Sequence, residues 1–153
     1  MSPPRPSFPS PSIAPDAPSA IGAVHHLAIQ VRDLPAAERF YCGVLGLPVV
    51  RRWPATGGGE RSLWVAAGTS TFLALEVVAG EQPIASADPA RAERPGHHLV
   101  ALAIAPGARA AWEARLTAAG APVTHRTAYT LYFTDPEGNR LGLSHYPHAA
   151  DPG

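Results

Sequence analysis

Cysteine is nearly absent: Cys42 stands alone among 153 residues. It has no internal thiol partner, and a small secreted domain ordinarily carries several half-cystines, so a reducing cytoplasm is the expected compartment. Long apolar runs are absent too. None approaches the roughly 20 residues that a bilayer crossing needs, and the first residues lack the uninterrupted apolar stretch of a secretory signal. Neither sign of charge is in excess, since twelve basic and twelve acidic residues leave a formal net charge of zero. The basic field that would draw in nucleic acid or an anionic membrane is missing, which leaves a small neutral ligand or metal chelate as the expected partner.

What is present suffices for one globular domain, because 46% of the residues are hydrophobic and only 16% are charged. The segment 1–20 is dominated by Pro, Ser and Ala, as in Pro3-Pro4-Arg5-Pro6 and Pro9-Ser10-Pro11. It holds too little apolar surface to offset its ordering entropy, so a disordered tail is expected there. The domain is expected at 21–147, followed by a short tail at 148–153.

Leu27, Ile29 and Val31 alternate with His26, Ala28 and Gln30, the period of a strand with one face on a core. Asp33 and Pro35 then mark a helix start, and Gly46 its end. Strand-like runs follow near 48–53, 62–67 and 71–78, with Gly57-Gly58-Gly59 separating the first two. The unit reads βαβββ. After a polar connection at 80–96 the same order recurs: a strand at 98–104, a helix at 108–119 ended by Gly120, and strands near 122–126, 129–134 and 140–146. A duplication at a period of roughly 70 residues is too long for a solenoid and points to two copies of one supersecondary unit sharing a site. Asp135-Pro136-Glu137-Gly138 carries the residue preferences of a type I turn.

Three stretches resemble the vicinal oxygen chelate superfamily, which includes glyoxalase I, bleomycin-resistance proteins and extradiol dioxygenases. They are His26 to Leu34 with Phe40-Tyr41 and Leu45-Gly46-Leu47; Leu73-Ala74-Leu75-Glu76; and Phe133 to Leu141 around the Asp135 turn. The resemblance spans residues 21–147 and implies an α+β fold in which two βαβββ modules form a curled, half-barrel mixed sheet around one cavity. In metal-dependent members the first strand of each module supplies a His and the last a carboxylate or amide. Carried over by position, that implies His26 and Glu76 from the first module and His98, or its neighbour His97, from the second. The fourth position falls on Gly142, so one ligand of the full set is missing. The implied cofactor is a divalent ion such as Zn, Ni, Mn or Fe, and the implied assembly is a homodimer whose modules pair within a chain or across the dimer.

The residues themselves bear on this pattern. Two neutral imidazoles and a carboxylate with open positions are what a Lewis-acid ion needs to polarise a substrate's oxygens. His26 shares its face with Ala28 and Gln30, away from the apolar face; a core His bonded to backbone is the plainer alternative. Glu76 lies among Leu73, Leu75 and Val77 in a strand that reads as buried, where an ionised carboxylate needs a metal or an Arg as partner. Strict alternation favours His97 on the cavity face, the family's adjacent-His pattern favours His98, and a bulge would reconcile the two. Tyr132 is a candidate hydrogen-bonder or a half-buried strand aromatic, and Trp64 lines a pocket or fills the core. The expected function is a metal-dependent lyase, isomerase or dioxygenase acting on a small oxygenated substrate, with Glu76 and Tyr132 as catalytic candidates. The competing function is a metal-free protein that sequesters a small molecule or drug against aromatics such as Trp64, Tyr129 and Tyr132.

Overall fold

A computed structural model describes residues 24–78 and 97–146. The expected tails at 1–20 and 148–153 and the connection at 80–96 lie outside the described residues. The first module runs β1 (His26–Val31), α1 (Leu34–Glu38), β2 (Val49–Pro54), β3 (Glu60–Ala67) and β4 (Thr71–Val77). The second runs β5 (Val100–Ala103), α2 (Arg109–Ala118), β6 (His125–Arg126), β7 (Thr130–Thr134) and β8 (Arg140–Ser144). Each forms an unclosed four-stranded sheet, ordered β1-β4-β3-β2 and β5-β8-β7-β6. In both sheets the first and last strands pair parallel and the remaining pairs are antiparallel, so the duplicated order is also a duplicated topology. Among the described residues no helix is long and apolar enough to cross a membrane.

Local chemistry explains the helix ends. The Asp33 carboxylate accepts from Ala36 N at 2.9 Å, satisfying one of the backbone donors that a helix start leaves open, and Pro35 sits in the first turn where its missing N–H costs nothing. The helix does not stay α-helical to Leu45. After Glu38 it widens into a π-helical stretch, Arg39–Val44, marked by a bond from Leu45 N to Phe40 O at 3.0 Å. Gly46, with φ of 73°, then turns the chain out of the helix. The wide turn leaves Phe40 and Tyr41, neighbours in sequence, both buried.

One continuous core joins the modules. Leu63, Val65, Leu73 and Leu75 come from the first sheet and Leu131, Phe133, Leu141 and Leu143 from the second. Phe40 and Tyr41 and, from α2, Leu116 join the same cluster, and Phe40 lies 6.2 Å from Phe133 between ring centroids. Burying a side chain of this size contributes on the order of 1.5–3 kcal/mol, so this shared apolar layer is the main force holding the two modules together.

The turn after β7 adds polar cross-links. Asp135, 4% exposed, accepts from Tyr41 Oη at 2.8 Å as well as from Glu137 N, Asn139 N and Asn139 Nδ2. Glu137 accepts from the backbone of Arg32 and Asp33 and from Arg32 Nε. From α2, Arg115 donates to the carbonyls of Val44 and Gly43, which the end of the π-helical stretch leaves open. Burial raises the Tyr41 phenol, and the neighbouring Asp135 charge and hydrogen bond push it further the same way. Burial also pushes Glu137 up, but the hydrogen bonds from Arg32 and Asp33 and the Arg32 charge bring it below its ordinary value.

Candidate functional site

Strand alternation sends one face of the first sheet into the core and the other away from it. The core-facing residues are Leu27, Ile29 and Val31 on β1 with Leu73 and Leu75 on β4. The outer face is built from cross-strand rows fixed by register. His26 lies opposite Phe72, and Phe72 opposite Ala66. Ala28 lies opposite Ala74, Ala74 opposite Trp64, and Trp64 opposite Arg51. Gln30 lies opposite Glu76, Glu76 opposite Ser62, and Ser62 opposite Trp53.

Neighbouring strands are roughly 4.8 Å apart, which is also a stacking distance, so aromatic residues in adjacent rows meet ring to ring. His26 stacks on Phe72 at 4.9 Å and 9°, and Phe72 stacks on Trp64 at 4.4 Å and 22°. Trp64 meets Trp53 edge-on at 5.3 Å. Four rings thus run without interruption across the sheet. Register irregularities on either side of Arg51–Trp53 mark bulges in the edge strand β2, and the Arg51 guanidinium lies 3.9 Å from the Trp53 ring centre.

The residues expected to hold a metal are distributed differently. His26 does lie on the outer face, and its Nδ1 is 2.8 Å from His25 Nδ1. Its cross-strand partner is Phe72, however, while Glu76 stands four positions further along β4, roughly 13 Å away at strand rise. Nor is Glu76 buried. It is exposed, because it belongs to the outer phase of β4 and burial falls away toward the end of that strand. This corrects the expectation that its carboxylate needs a buried partner. His97 and His98 are exposed in the segment before β5, and His98 Nδ1 lies 3.4 Å from the Arg140 guanidinium, a cationic neighbour that disfavours an ion there. Gly142 is buried opposite Ala101, and a Cβ at that position would lie 3.1 Å from the Thr130 methyl. Tyr132 is half-buried on the second sheet beside His125. Among the described residues no three of His, Cys, Asp and Glu are gathered closely enough to hold a metal ion. The donors among the described residues therefore do not fit a mononuclear centre.

Phe72, Trp53 and Arg51 were not singled out from the sequence. Phe72 and Trp53 sit in segments that read as ordinary strand, and only the register reveals them as neighbours of His26 and Trp64.

The fold has many solved counterparts. A glyoxalase/dioxygenase from Nostoc punctiforme superposes with a TM-score of 0.69 at 23% identity, covering 93% of this chain and 100% of that one. The fosfomycin resistance protein FosX from Mesorhizobium loti gives 0.62 at 19% identity, covering 81% and 91%. TnmS3, an antibiotic binding protein from Streptomyces sp. CB03234, gives 0.58 at 26% identity, covering 84% and 98%. A search of curated proteins finds no match. The family profile described as Glyoxalase/Bleomycin resistance protein/Dioxygenase superfamily matches residues 23–143, and the chain belongs to that superfamily.

Proposed function

We propose that this protein binds a flat aromatic small molecule against the outer face of its first sheet, and that it does so without a metal ion. The observation that carries this is the uninterrupted array His26–Phe72–Trp64–Trp53 in the place where the family's metal pattern would put ligands. The rings of His26, Phe72 and Trp64 turn their faces to one another, so a planar ligand meets a row of ring edges in edge-to-face contact, a surface already ordered that loses little conformational entropy on binding. The likeness to TnmS3, an antibiotic binding protein, supports the same reading. We place the protein in the cytoplasm, in keeping with its lone cysteine, and as a homodimer in which a second copy encloses the ligand; sedimentation equilibrium tests the assembly.

A metal-dependent lyase, isomerase or dioxygenase is the second reading, favoured by one observation: two imidazole nitrogens, on His25 and His26, converge at the start of β1. It needs further ligands from another copy, with His98 or His97 as the second-module imidazole and Glu76 and Tyr132 as catalytic groups on an oxygenated substrate.

Elemental analysis after reconstitution with zinc, nickel, manganese and anaerobic iron separates the two. The binding reading expects less than about a tenth of an ion per chain, and stoichiometric metal refutes it. Trp64→Leu is expected to abolish ligand binding while leaving the fold intact by circular dichroism.

A further inference from the structure

The aromatic array ends at the β2 edge beside two buried donors that have no hydrogen-bond partner among the described residues. These are Trp53 Nε1 and Ser62 Oγ, whose residues lie directly opposite one another in the outer face. An indole N–H can only donate, so a buried one left open is a cost that a ligand acceptor would remove. Arg51 stands two residues from Trp53 on the same face, 3.9 Å from its ring and 6.0 Å from that of Trp64. Arg61 lies 5.5 Å from the Trp53 ring. Among the described residues neither arginine makes an ion pair, whereas Arg52, of opposite phase to Arg51, is held by Glu38 and Glu60. Carboxylates close to this edge are thus already committed to Arg52. The free carboxylate of the face, Glu76, stands two strands and two residues from Arg51, roughly 12 Å away at ordinary sheet spacing.

We infer that the site selects aromatic acids: the ring system lies across the edges of the Trp64 and Phe72 rings, and its carboxylate or other anionic edge points to Arg51 and the donors of Trp53 and Ser62. A guanidinium gives an oxyanion two parallel donors, and its stacking on Trp53 holds that fork in place. Glu76 opposes the reverse orientation and repels an anion placed at the far end. The inference rests on the aromatic-ligand reading above and adds the charge of the ligand to it.

Calorimetric titration of the full chain with 2-naphthoate, 2-acetonaphthone and 2-naphthylmethylammonium tests it, since the three share one bicyclic ring and differ in charge. The acid is expected to bind at least about tenfold more tightly than the ammonium compound, with the ketone between them. R51M should bring all three within about threefold of each other, and E76Q should weaken the ammonium compound while leaving the acid unchanged or tighter. Raising the salt concentration should weaken binding of the acid to the wild-type protein and leave the ketone unchanged, a readout that needs no variant. Equal affinities in the wild type, or an acid preference that survives R51M, would overturn the selectivity. If the three bind equally and W64L weakens them all, aromatic binding stands and acid selection alone falls. Binding of none of the three removes both.

Discussion

Tyr41→Phe isolates one of the polar links between the modules. The substitution removes one oxygen and keeps the ring, so the core around Phe40 and Phe133 keeps its packing and no cavity opens. What is lost is the bond from Tyr41 Oη to Asp135 Oδ2 at 2.8 Å, within a core where Tyr41 is 0% and Asp135 4% exposed. A hydrogen bond to a charged group contributes about 1.5–3 kcal/mol, more if its loss leaves a buried charge uncompensated. Asp135 retains three donors, Glu137 N, Asn139 N and Asn139 Nδ2, so the carboxylate is not stranded and the lower half of that range applies. The expected loss is about 2 kcal/mol, or roughly 4–8 °C in Tm for a domain of this size. Urea and thermal unfolding followed by circular dichroism measure it, and a double-mutant cycle with Asp135→Asn should show coupling above about 1 kcal/mol. A loss under about 0.5 kcal/mol, with no coupling, would refute the claim that this bond joins the modules.

Acid should weaken the fold in part through Glu137. Its pKa lies below the ordinary 4.5, so its stabilisation is present above that value and is lost as pH falls through it. Glu137→Gln should flatten the pH dependence of the unfolding midpoint below about pH 5 and leave a less stable protein at pH 7; an unchanged profile counts against the Arg32 and Asp33 contacts. Leu116→Ala empties a fully buried site in the shared core and should cost about 2–5 kcal/mol by urea unfolding, with a value under about 1 kcal/mol showing that α2 is not seated there. Gly142→Ala places a Cβ 3.1 Å from Thr130 Cγ2, and Thr130 is held by its bond to Ser144 at 2.9 Å. Overpacking outweighs the gain in strand propensity, giving a loss of about 1 kcal/mol, and a stabilised variant would show the space to be free.

Much of the fold was legible because its signals are local. Alternation of Leu27, Ile29 and Val31 marks β1 and its core face. Asp33, Pro35 and Gly46 bracket the first helical segment through backbone chemistry that needs no tertiary context. The Asp135 turn was equally plain as a turn. Its larger role was hidden, because nothing in Asp-Pro-Glu-Gly says that the first carboxylate reaches Tyr41 and the second reaches Arg32, about a hundred residues earlier in the chain. The π-helical widening was invisible for a related reason: Phe40 and Tyr41 both have partners in the core, and those partners come from elsewhere in the fold.

The site depended on register, which a single strand does not contain. Within β4, Phe72, Ala74 and Glu76 all share one face, and the sequence offers Glu76 as the chemically eligible member. Pairing with β1 decides otherwise: His26 meets Phe72, and Glu76 meets Gln30. A displacement of four residues keeps the face and changes the neighbour, so alternation cannot detect it. The consequence is chemical. A histidine beside a carboxylate at the mouth of a sheet is half of a metal centre, whereas a histidine stacked at 9° on a phenylalanine that continues into two tryptophans is one end of an apolar shelf. Gly142 lies in a comparable setting on the second sheet, where a side chain at the fourth ligand position would meet the Thr130 methyl at 3.1 Å from its Cβ. Both sheets keep the scaffold of the superfamily while placing packing contacts at these positions.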